Sequence, residues 1–371
     1  MKSNRFSPLP HPRGFTLIEL MVALAISMIL MAALASIFAQ SVQTREKIDR
    51  DGQKIETARY SLDTLSEDIR LAGYYGSYSP PNTGSAPADW TYVDPCDATV
   101  SNPLPGWNPT ASPVQVPFPI FVYEAHDTGN LPSALTDCLD NYRTGTDVLL
   151  IRRASTNSIE VGSADYVASM PYLQVSSCGK DPIDTQPFHA MATATSSDFT
   201  MHIRGCSVTT PGPLARVNRL LTRIYFIADC DDCTGAGDGI PTLKMREWGE
   251  DNPRTVAPGV ENMHIELGID TNDDGATDAY ILSNANPYTG AIGDSVAGMR
   301  QDADGEDRWE DVVAIKMFLV TRDLQPTRSY TDIKSFVMGS TTLAAAEDDY
   351  RRRLTSSTIK IVNMSARREQ P

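Results

Sequence analysis

The chain has 371 residues, and its 47 acidic residues outnumber its 32 lysines and arginines, which gives a formal net charge of −15 at pH 7. A chain this acidic is a poor candidate for binding nucleic acid through the phosphate backbone, so no nucleic-acid partner is expected. The run Arg351–Arg353 is the obvious candidate for a local basic patch. Such a run is more commonly the solvated end of a strand.

The N-terminal part of the chain contains a 25-residue apolar run from Phe15 to Ala39, in which Glu19 is the single charge. As a helix this run would extend about 37 Å, enough to cross a hydrocarbon core of about 30 Å. A carboxyl group inside such a helix is costly and usually has a partner. An ordinary secretory signal peptide has a shorter apolar core, and a plain single-pass anchor leaves Glu19 without a purpose.

The sequence Gly-Phe-Thr-Leu-Ile-Glu at positions 14–19 follows a short basic leader and opens this apolar run. It resembles the class III signal of type IV pilins and type II secretion pseudopilins. In that family a prepilin peptidase cuts after the glycine and methylates the new N-terminus. The resemblance implies that Gly14 is the last leader residue and Phe15 the methylated N-terminus. It also implies that Glu19 is the assembly carboxylate, which meets the N-terminal amine of a neighbouring subunit.

The resemblance implies an organisation along the chain and a location. The leader would be residues 1–14, the transmembrane or filament-core helix 15–40, its amphipathic continuation 41–73, and the β-rich globular domain 74–371. The basic leader would stay in the cytoplasm. The protein would then cross the inner membrane once with its globular domain in the periplasm, and would lie in the pilus at the cell surface after assembly. The implied partners are other minor pilins, the major pilin, the prepilin peptidase and the inner membrane.

Six cysteines follow the apolar helix, an even number in a part of the chain that would enter an oxidising compartment, so disulfides are expected. They are Cys96, Cys138, Cys178, Cys206, Cys230 and Cys233. Order along the chain suggests the pairs 96–138, 178–206 and 230–233 among 15 connectivities. A redox-active or zinc-binding role for the last pair is the alternative. Zinc would need a second ligand pair, and the flanking aspartates would raise the pKa of a thiol rather than activate it.

The helix is expected to continue beyond the membrane, because apolar residues recur from Val42 to Ala72 at a spacing of seven. This row contains Ile48, Ile55, Leu62 and Ile69, with Ala58, Leu65 and Ala72 beside it. Gly73 is a natural C-terminal cap. Gly52 costs about 1 kcal/mol relative to alanine and is a weak point at which the helix could bend.

The rest of the chain is expected to be rich in strands. Residues 73–117 carry many Pro, Gly and Tyr residues and predict a long irregular connection. Strand-like runs follow at 118–125, 147–154, 172–176, 198–204, 219–228, 242–248, 262–269, 279–282, 312–321 and 358–364. Thr341–Arg352 is a candidate for a short helix. The fold class is therefore α+β and pilin-like: one long N-terminal helix packed on an antiparallel sheet, with a disulfide-stapled insertion around residues 127–260.

Two later segments narrow the resemblance. The stretch 260–275, with its Val-Glu, Gly-Ile-Asp and Asp-Asp-Gly elements, and the stretch 312–322 resemble PilW-type minor pilins. The ending around Tyr350-Arg351-Arg352 and Ile361-Val362-Asn363 resembles them as well. The chain departs from that pattern before Gly268, where an aromatic residue is common, and its middle section has no counterpart.

Two acidic loops are candidates for calcium, which is the one cofactor that the sequence suggests without establishing it. The first has oxygen ligands at the spacing of a calcium loop: Asp270, Asn272, Asp274, Ala276 through its carbonyl, and Asp278. The usual glutamate at position 12 is absent, and an Asp-Gly hairpin turn is the alternative. The second loop contains Asp302, Asp304, Glu306 and Asp307.

No catalytic constellation is apparent, so the protein is predicted not to be an enzyme. The histidines form no ligand pair at short spacing, and Glu261 and His264 would lie on opposite faces of a strand. The leading interpretation is a minor pilin of a type IV pilus that acts in the priming complex at the tip, with a part in adhesion and twitching motility. A type II secretion pseudopilin and a calcium-ordered tip adhesin are the alternatives.

Overall fold

The computed structural model describes residues 14–79, 90–91, 96, 106–108, 110, 114–124, 135, 138–167, 170–182, 186, 188–191, 196–206, 212–250, 252–272, 274–282 and 311–368. The chain divides into two compact units, residues 1–53 and 54–371. The boundary falls within the first helix, α1 (Leu17–Leu71). Each unit is described by itself.

In the first unit α1 is formed mainly by Ala, Leu, Ile and Met, which are good or acceptable helix formers. The side chains between Gly14 and Asp49 are exposed, Phe15 at 89% and Met31 at 70%. Among the described residues, α1 is the one helix that has the length and apolar composition to cross a membrane. An apolar surface of this size is not stable in water and marks a surface that lipid or other helices cover.

In the second unit α1 buries a face that combines apolar and polar residues. The buried residues of α1 are Lys54, Ala58, Ser61, Leu65, Asp68 and Ile69. The predicted apolar stripe is therefore only partly the buried face, since Ile48 and Ile55 are 63% and 45% exposed. A polar row at a spacing of seven, Lys54, Ser61 and Asp68, lies in the interface instead.

Gly73 ends α1 as predicted. Its φ of +72° is a left-handed conformation that suits glycine, and the amide of Tyr74 donates to the carbonyl of Leu71 at 3.0 Å. A Cβ at Gly73 would lie 3.2 Å from the Cβ of Pro119. Both observations require glycine at this turn.

Fifteen strands and a second helix are defined in the described part of the second unit. The strands are β1 (Trp90–Thr91), β2 (Val116–Pro117), β3 (Ile120–Tyr123), β4 (Val148–Ile159), β5 (Tyr172–Val175), β6 (Phe188–Met191), β7 (Val217–Ala228), β8 (Thr242–Glu247), β9 (Arg254–Pro258), β10 (Val260–Ile269), β11 (Ala279–Leu282), β12 (Val312–Arg322), β13 (Phe336–Met338), β14 (Thr341–Leu343) and β15 (Arg352–Lys360). A short 3₁₀ helix covers Ser196–Asp198, and α2 covers Val362–Arg368.

Two antiparallel sheets form most of this unit. The larger sheet has the order β3-β4-β7-β5-β6, and β8 pairs with β7 and with β9. The strand β7 links the two parts of this sheet: β5 pairs with its first residues, and β8 pairs with its last six. The smaller sheet has the order β11-β10-β12-β15. The strands β1 and β2 form a parallel pair, and β13 and β14 form a hairpin.

One core joins α1 to both sheets. It contains Leu65 and Ile69 of α1, Leu150 of β4, Met263 of β10 and Met317 of β12, all buried. The α+β class with a long N-terminal helix and antiparallel sheets is thus confirmed, with two main sheets where a single sheet was expected. The strands β3 to β9 make up the larger sheet, and most of them lie in the predicted insertion.

Three local predictions are wrong. Residues 198–204 form no strand apart from an isolated bridge at His202. Thr341–Arg352 is not helical, because β14 occupies its beginning and β15 starts at its end. Residues 358–364 are divided between β15 and α2, and the strand is instead Arg352–Lys360.

Candidate functional site

The first turn of α1 holds Glu19 in a capping box with Thr16. The carboxylate oxygen Oε2 of Glu19 accepts hydrogen bonds from the backbone N–H and the hydroxyl of Thr16, both at 2.9 Å. The Thr16 hydroxyl accepts a bond from the Glu19 N–H at 3.3 Å. The Thr-x-x-Glu spacing is the sequence signature of this arrangement, so the contact between Thr16 and Glu19 could have been predicted and was not.

Apolar side chains flank this exposed carboxylate along one face of α1. A shallow groove of about 330 Å³ is lined by Glu19 and, on the same helix face, by Ile18, Val22, Ala23 and Ile26. Both capping bonds that Glu19 accepts end on Oε2, so Oε1 is open to a further donor in the part of the chain that the structure describes. The site therefore combines an acceptor with an apolar helix surface.

A second polar cluster centres on Asp68, which sequence reasoning missed. Its carboxylate contacts Arg153 at 2.7 Å and Arg223 at 2.8 Å, and it accepts a bond from the hydroxyl of Tyr225. Burial raises the pKa of Asp68, but Arg223, Tyr225 and Arg153 outweigh burial and lower it. Asp68 thus remains charged and fixes α1 to the larger sheet.

The same helix face carries a second buried ion pair. Lys54 Nζ lies 2.9 Å from Asp323 Oδ1, and the two side chains are 6% and 0% exposed. Between Lys54 and Asp68, the hydroxyl of Ser61 donates to the carbonyl of Thr57 at 2.7 Å. Polar contacts therefore hold α1 at two points separated by two heptads.

The run Arg351–Arg353 does not form a basic patch. Arg352 is buried and contacts Glu261, Asp332 and Asp348, and its guanidinium lowers the pKa of Asp348. Arg351 lies over the ring of Tyr330 at 4.1 Å. The three side chains therefore do not converge on one ligand.

Burial also decides what His264 can do. His264 lies 2.9 Å from Asp147, with both side chains fully buried, and it stacks on Phe318. Burial lowers the pKa of His264, but Asp147 outweighs burial and raises it. Glu261 contacts Arg352 instead and lies at a register irregularity between Val260 and Asn262, so the expected alternation along β10 does not decide the faces of Glu261 and His264. A histidine sealed in the core cannot reach a substrate.

The first acidic loop connects β10 to β11, which pair as a hairpin. Asp270 is fully buried and accepts bonds from the N–H groups of Asn272 and Gly275 at 3.2 and 2.8 Å. Asp274 accepts from Ala276 at 2.8 Å, and Asp278 accepts from Thr271 at 2.7 Å. The described residues contain no group of three or more His, Cys, Asp or Glu arranged to hold a metal ion.

Calcium binding at this loop stays a prediction. The remaining residue of the loop, Asp273, and the whole second acidic cluster at 302–307 lie outside the described residues.

The cysteines join in the order suggested by their positions in the chain. The structure contains the disulfides Cys96–Cys138, Cys178–Cys206 and Cys230–Cys233. Every cysteine that the structure describes is part of a disulfide.

Comparisons with known proteins locate two matched segments. Residues 10–35 match the model of the prokaryotic N-terminal methylation motif. Residues 224–363, from the end of β7 to the start of α2, match the model of the Type IV pilus-assembly protein W family, PilW. The first segment contains the Glu19 site. The second contains the smaller sheet and the acidic loop between β10 and β11.

A solved structure, a type IV-like pilin from Thermus thermophilus, is similar at 11% identity over 59% of this chain and 80% of that chain, with a TM-score of 0.25. A similarity this low carries no argument about the fold. The search of curated proteins found no significant match.

Proposed function

We propose that this chain, a PilW-type minor pilin by its two family matches, enters a type IV pilus as a structural subunit of the priming complex at the tip. Prepilin peptidase would cut after Gly14 and methylate Phe15. The supporting observation is the pairing of an open carboxylate with an exposed apolar helix at the matched N-terminal motif. Adhesion and twitching motility would then depend on the filament that this complex initiates.

The role of Glu19 follows from charge burial. A carboxylate among apolar helices is costly unless a positive group approaches it. In the single chain Thr16 supplies hydrogen bonds to Oε2 but no charge. The free amine of a neighbouring Phe15 would supply that charge. Only one axial stagger satisfies both groups, so the pair would also set the register between subunits.

The test compares two substitutions of Glu19 in the full chain. Glu19→Val removes both the charge and the capping acceptor, whereas Glu19→Gln keeps a capping residue and removes the charge. We expect both variants to lower the number of surface pili, counted by electron microscopy, and to lower twitching motility.

The Gln variant decides between capping and charge. If Glu19→Gln assembles pili as the wild type does while Glu19→Val does not, the carboxylate acts as a helix cap and the charge-pairing role is wrong. Immunoblots of membranes check that each variant is cleaved and present at the wild-type level.

A chromosomal deletion separates the pilus from the secretion alternative. The match to a pilus-assembly family favours the pilus, so deletion should abolish pili and motility and leave enzyme secretion intact. Loss of secretion with normal pili would assign the chain to a secretion pseudopilus. The periplasmic side of the globular domain is supported by its three disulfides, which form in oxidising compartments.

A further inference from the structure

The outer edge of β15 presents backbone groups that no strand of the described chain pairs. The amide of Ile361 donates to Val313, and the amide of Asp323 donates to Arg351. With the register Ile315↔Ile359 and Leu319↔Thr355, these bonds show that odd-numbered residues of β15 bond to β12. The N–H and C=O groups of Leu354, Ser356 and Thr358 therefore point away from the sheet.

A groove runs along this edge. It has a volume of about 690 Å³ and lies between β15 and the part of α1 that belongs to the second unit. The β15 wall includes Thr355, Ser356 and Ser357, and the α1 wall includes Ile55 and Leu62. An added strand could place alternate side chains on the α1 wall, which mixes apolar and charged residues, while its backbone bonds to the edge, the mode known as β-augmentation.

The charges around the groove favour an acidic occupant. Arg59, Arg70 and Arg353 line it against Asp63 and Glu67, and Asp63 already lies 3.7 Å from Arg59. The groove is thus locally positive within a chain of net charge −15. A negatively charged segment would be attracted to it.

The same charges disfavour a second copy as the occupant. Antiparallel pairing of two β15 strands about Ser356 would bring the exposed Arg353 and Lys360 of one copy to the same ends of the ribbon as Lys360 and Arg353 of the other, whereas Arg352 is already neutralised by its carboxylate partners. Parallel pairing would place Arg353 beside Arg353. Like charges opposite one another destabilise a strand pair, and basic residues on an edge are a common protection against self-association.

We propose that β15 is a docking edge for an extended acidic segment of a different protein, which adds as a fifth strand to the smaller sheet. The inference rests on the proposed function in one respect: it places the partner in the same pilus assembly. The docking edge itself depends on β15 and α1 alone.

The test uses the full chain in detergent micelles and a fluorescent nine-residue peptide, Glu-Val-Thr-Val-Glu-Val-Thr-Val-Glu. Its control has lysine in place of every glutamate. We expect the acidic peptide to bind at least about tenfold more tightly than the lysine peptide, measured by fluorescence anisotropy. A photoreactive group on the acidic peptide should cross-link to residues 352–360, identified by mass spectrometry.

The matched variants are Ser356→Pro and Ser356→Ala. Proline removes an outward N–H without removing a bond to β12, and edge strands tolerate it. We expect Ser356→Pro to weaken binding of the acidic peptide at least about tenfold and Ser356→Ala to leave binding unchanged. Thr358→Pro is the second variant if Ser356→Pro unfolds at a lower temperature than Ser356→Ala.

Three outcomes would overturn the proposal: equal binding of both peptides, no binding of the acidic peptide, or unchanged binding by both folded proline variants. Self-association of the full chain that Ser356→Pro abolishes would assign the edge to a second copy instead. These results are independent of the pilus counts with Glu19→Val, so the docking edge and the pilus role can fail separately.

Discussion

At the scale of single residues, the most informative side chains are the polar ones that α1 buries. Asp68 and Lys54 would be costly in an apolar interface, and each is instead paired with a buried opposite charge. A buried pair is weak evidence for net stability, but breaking one partner leaves an uncompensated charge. These residues therefore specify how α1 lies on the sheets of the second unit.

Asp68→Asn should destabilise the second unit by about 3 kcal/mol, because Arg153 loses its carboxylate partner in a buried site. Asp63→Asn is the matched control on the same helix. Asp63 is paired with Arg59 at the surface, where both side chains are more than 70% exposed, so a change below about 0.5 kcal/mol is expected. Urea unfolding of the full chain in micelles, followed by tryptophan fluorescence, measures both.

The effect of Asp68 should also depend on pH. The folded-state pKa of Asp68 is lowered, so its contribution is present above the unfolded pKa of about 3.9 and is lost as pH falls through the folded value. The difference in stability between wild type and Asp68→Asn should therefore be constant from neutral pH to about pH 5 and shrink below about pH 4. A difference that grew on acidification would contradict the assignment.

At the scale of elements, α1 and the turn that ends it each contain a glycine, and the two have opposite requirements. Gly73 has a positive φ and a close neighbour in Pro119. Gly52 lies inside the helix, and a Cβ there would meet nothing within 4 Å. The turn requires glycine at position 73. Glycine at position 52 lowers helix propensity, and no contact in the described structure requires it there.

Alanine at the two positions should therefore act in opposite directions. Gly73→Ala should lower the stability of the second unit by about 1–2 kcal/mol through backbone strain. Gly52→Ala should stabilise the helix locally by up to about 1 kcal/mol, seen as slower amide exchange in neighbouring residues. Faster exchange around residue 52 in the alanine variant would mean that Gly52 has a structural role.

At the scale of the whole molecule, the sequence pattern predicts where strands and helices occur better than it predicts which of them pair or pack together. The runs at 279–282 and 312–321 became β11 and β12 almost unchanged, because their β-branched and aromatic composition and the turn signals around them agree. The helix predicted at 341–352 was wrong because β14 and β15 take the two ends of the segment, and Ala344-Ala345-Ala346 lie in the irregular connection between them. The polar row of α1 was missed because its partners, such as Asp323 and Arg153, are remote in sequence.

The candidate sites show the same limit. The N-terminal motif is local, so Gly14, Phe15 and Glu19 could be named from six consecutive residues. The edge of β15 could not be predicted, since it depends on which strand terminates the sheet. That strand order is set by tertiary pairing, which a single sequence does not display.

Two disulfides of the second unit close loops of very different length, so removing each one tests how much loop closure stabilises the unit. Cys96–Cys138 closes a separation of 42 residues, whereas Cys230–Cys233 closes a separation of 3. In the chain-entropy model a bridge stabilises by restricting the unfolded chain, and the longer loop should contribute about 4 kcal/mol against about 2 kcal/mol for the shorter. Replacing the first pair with serines should therefore lower the urea midpoint more than replacing the second pair. If the Cys230–Cys233 variant were the less stable of the two, the local turn around 230–240 would contribute more than loop entropy, and the short bridge would be the main constraint on the larger sheet.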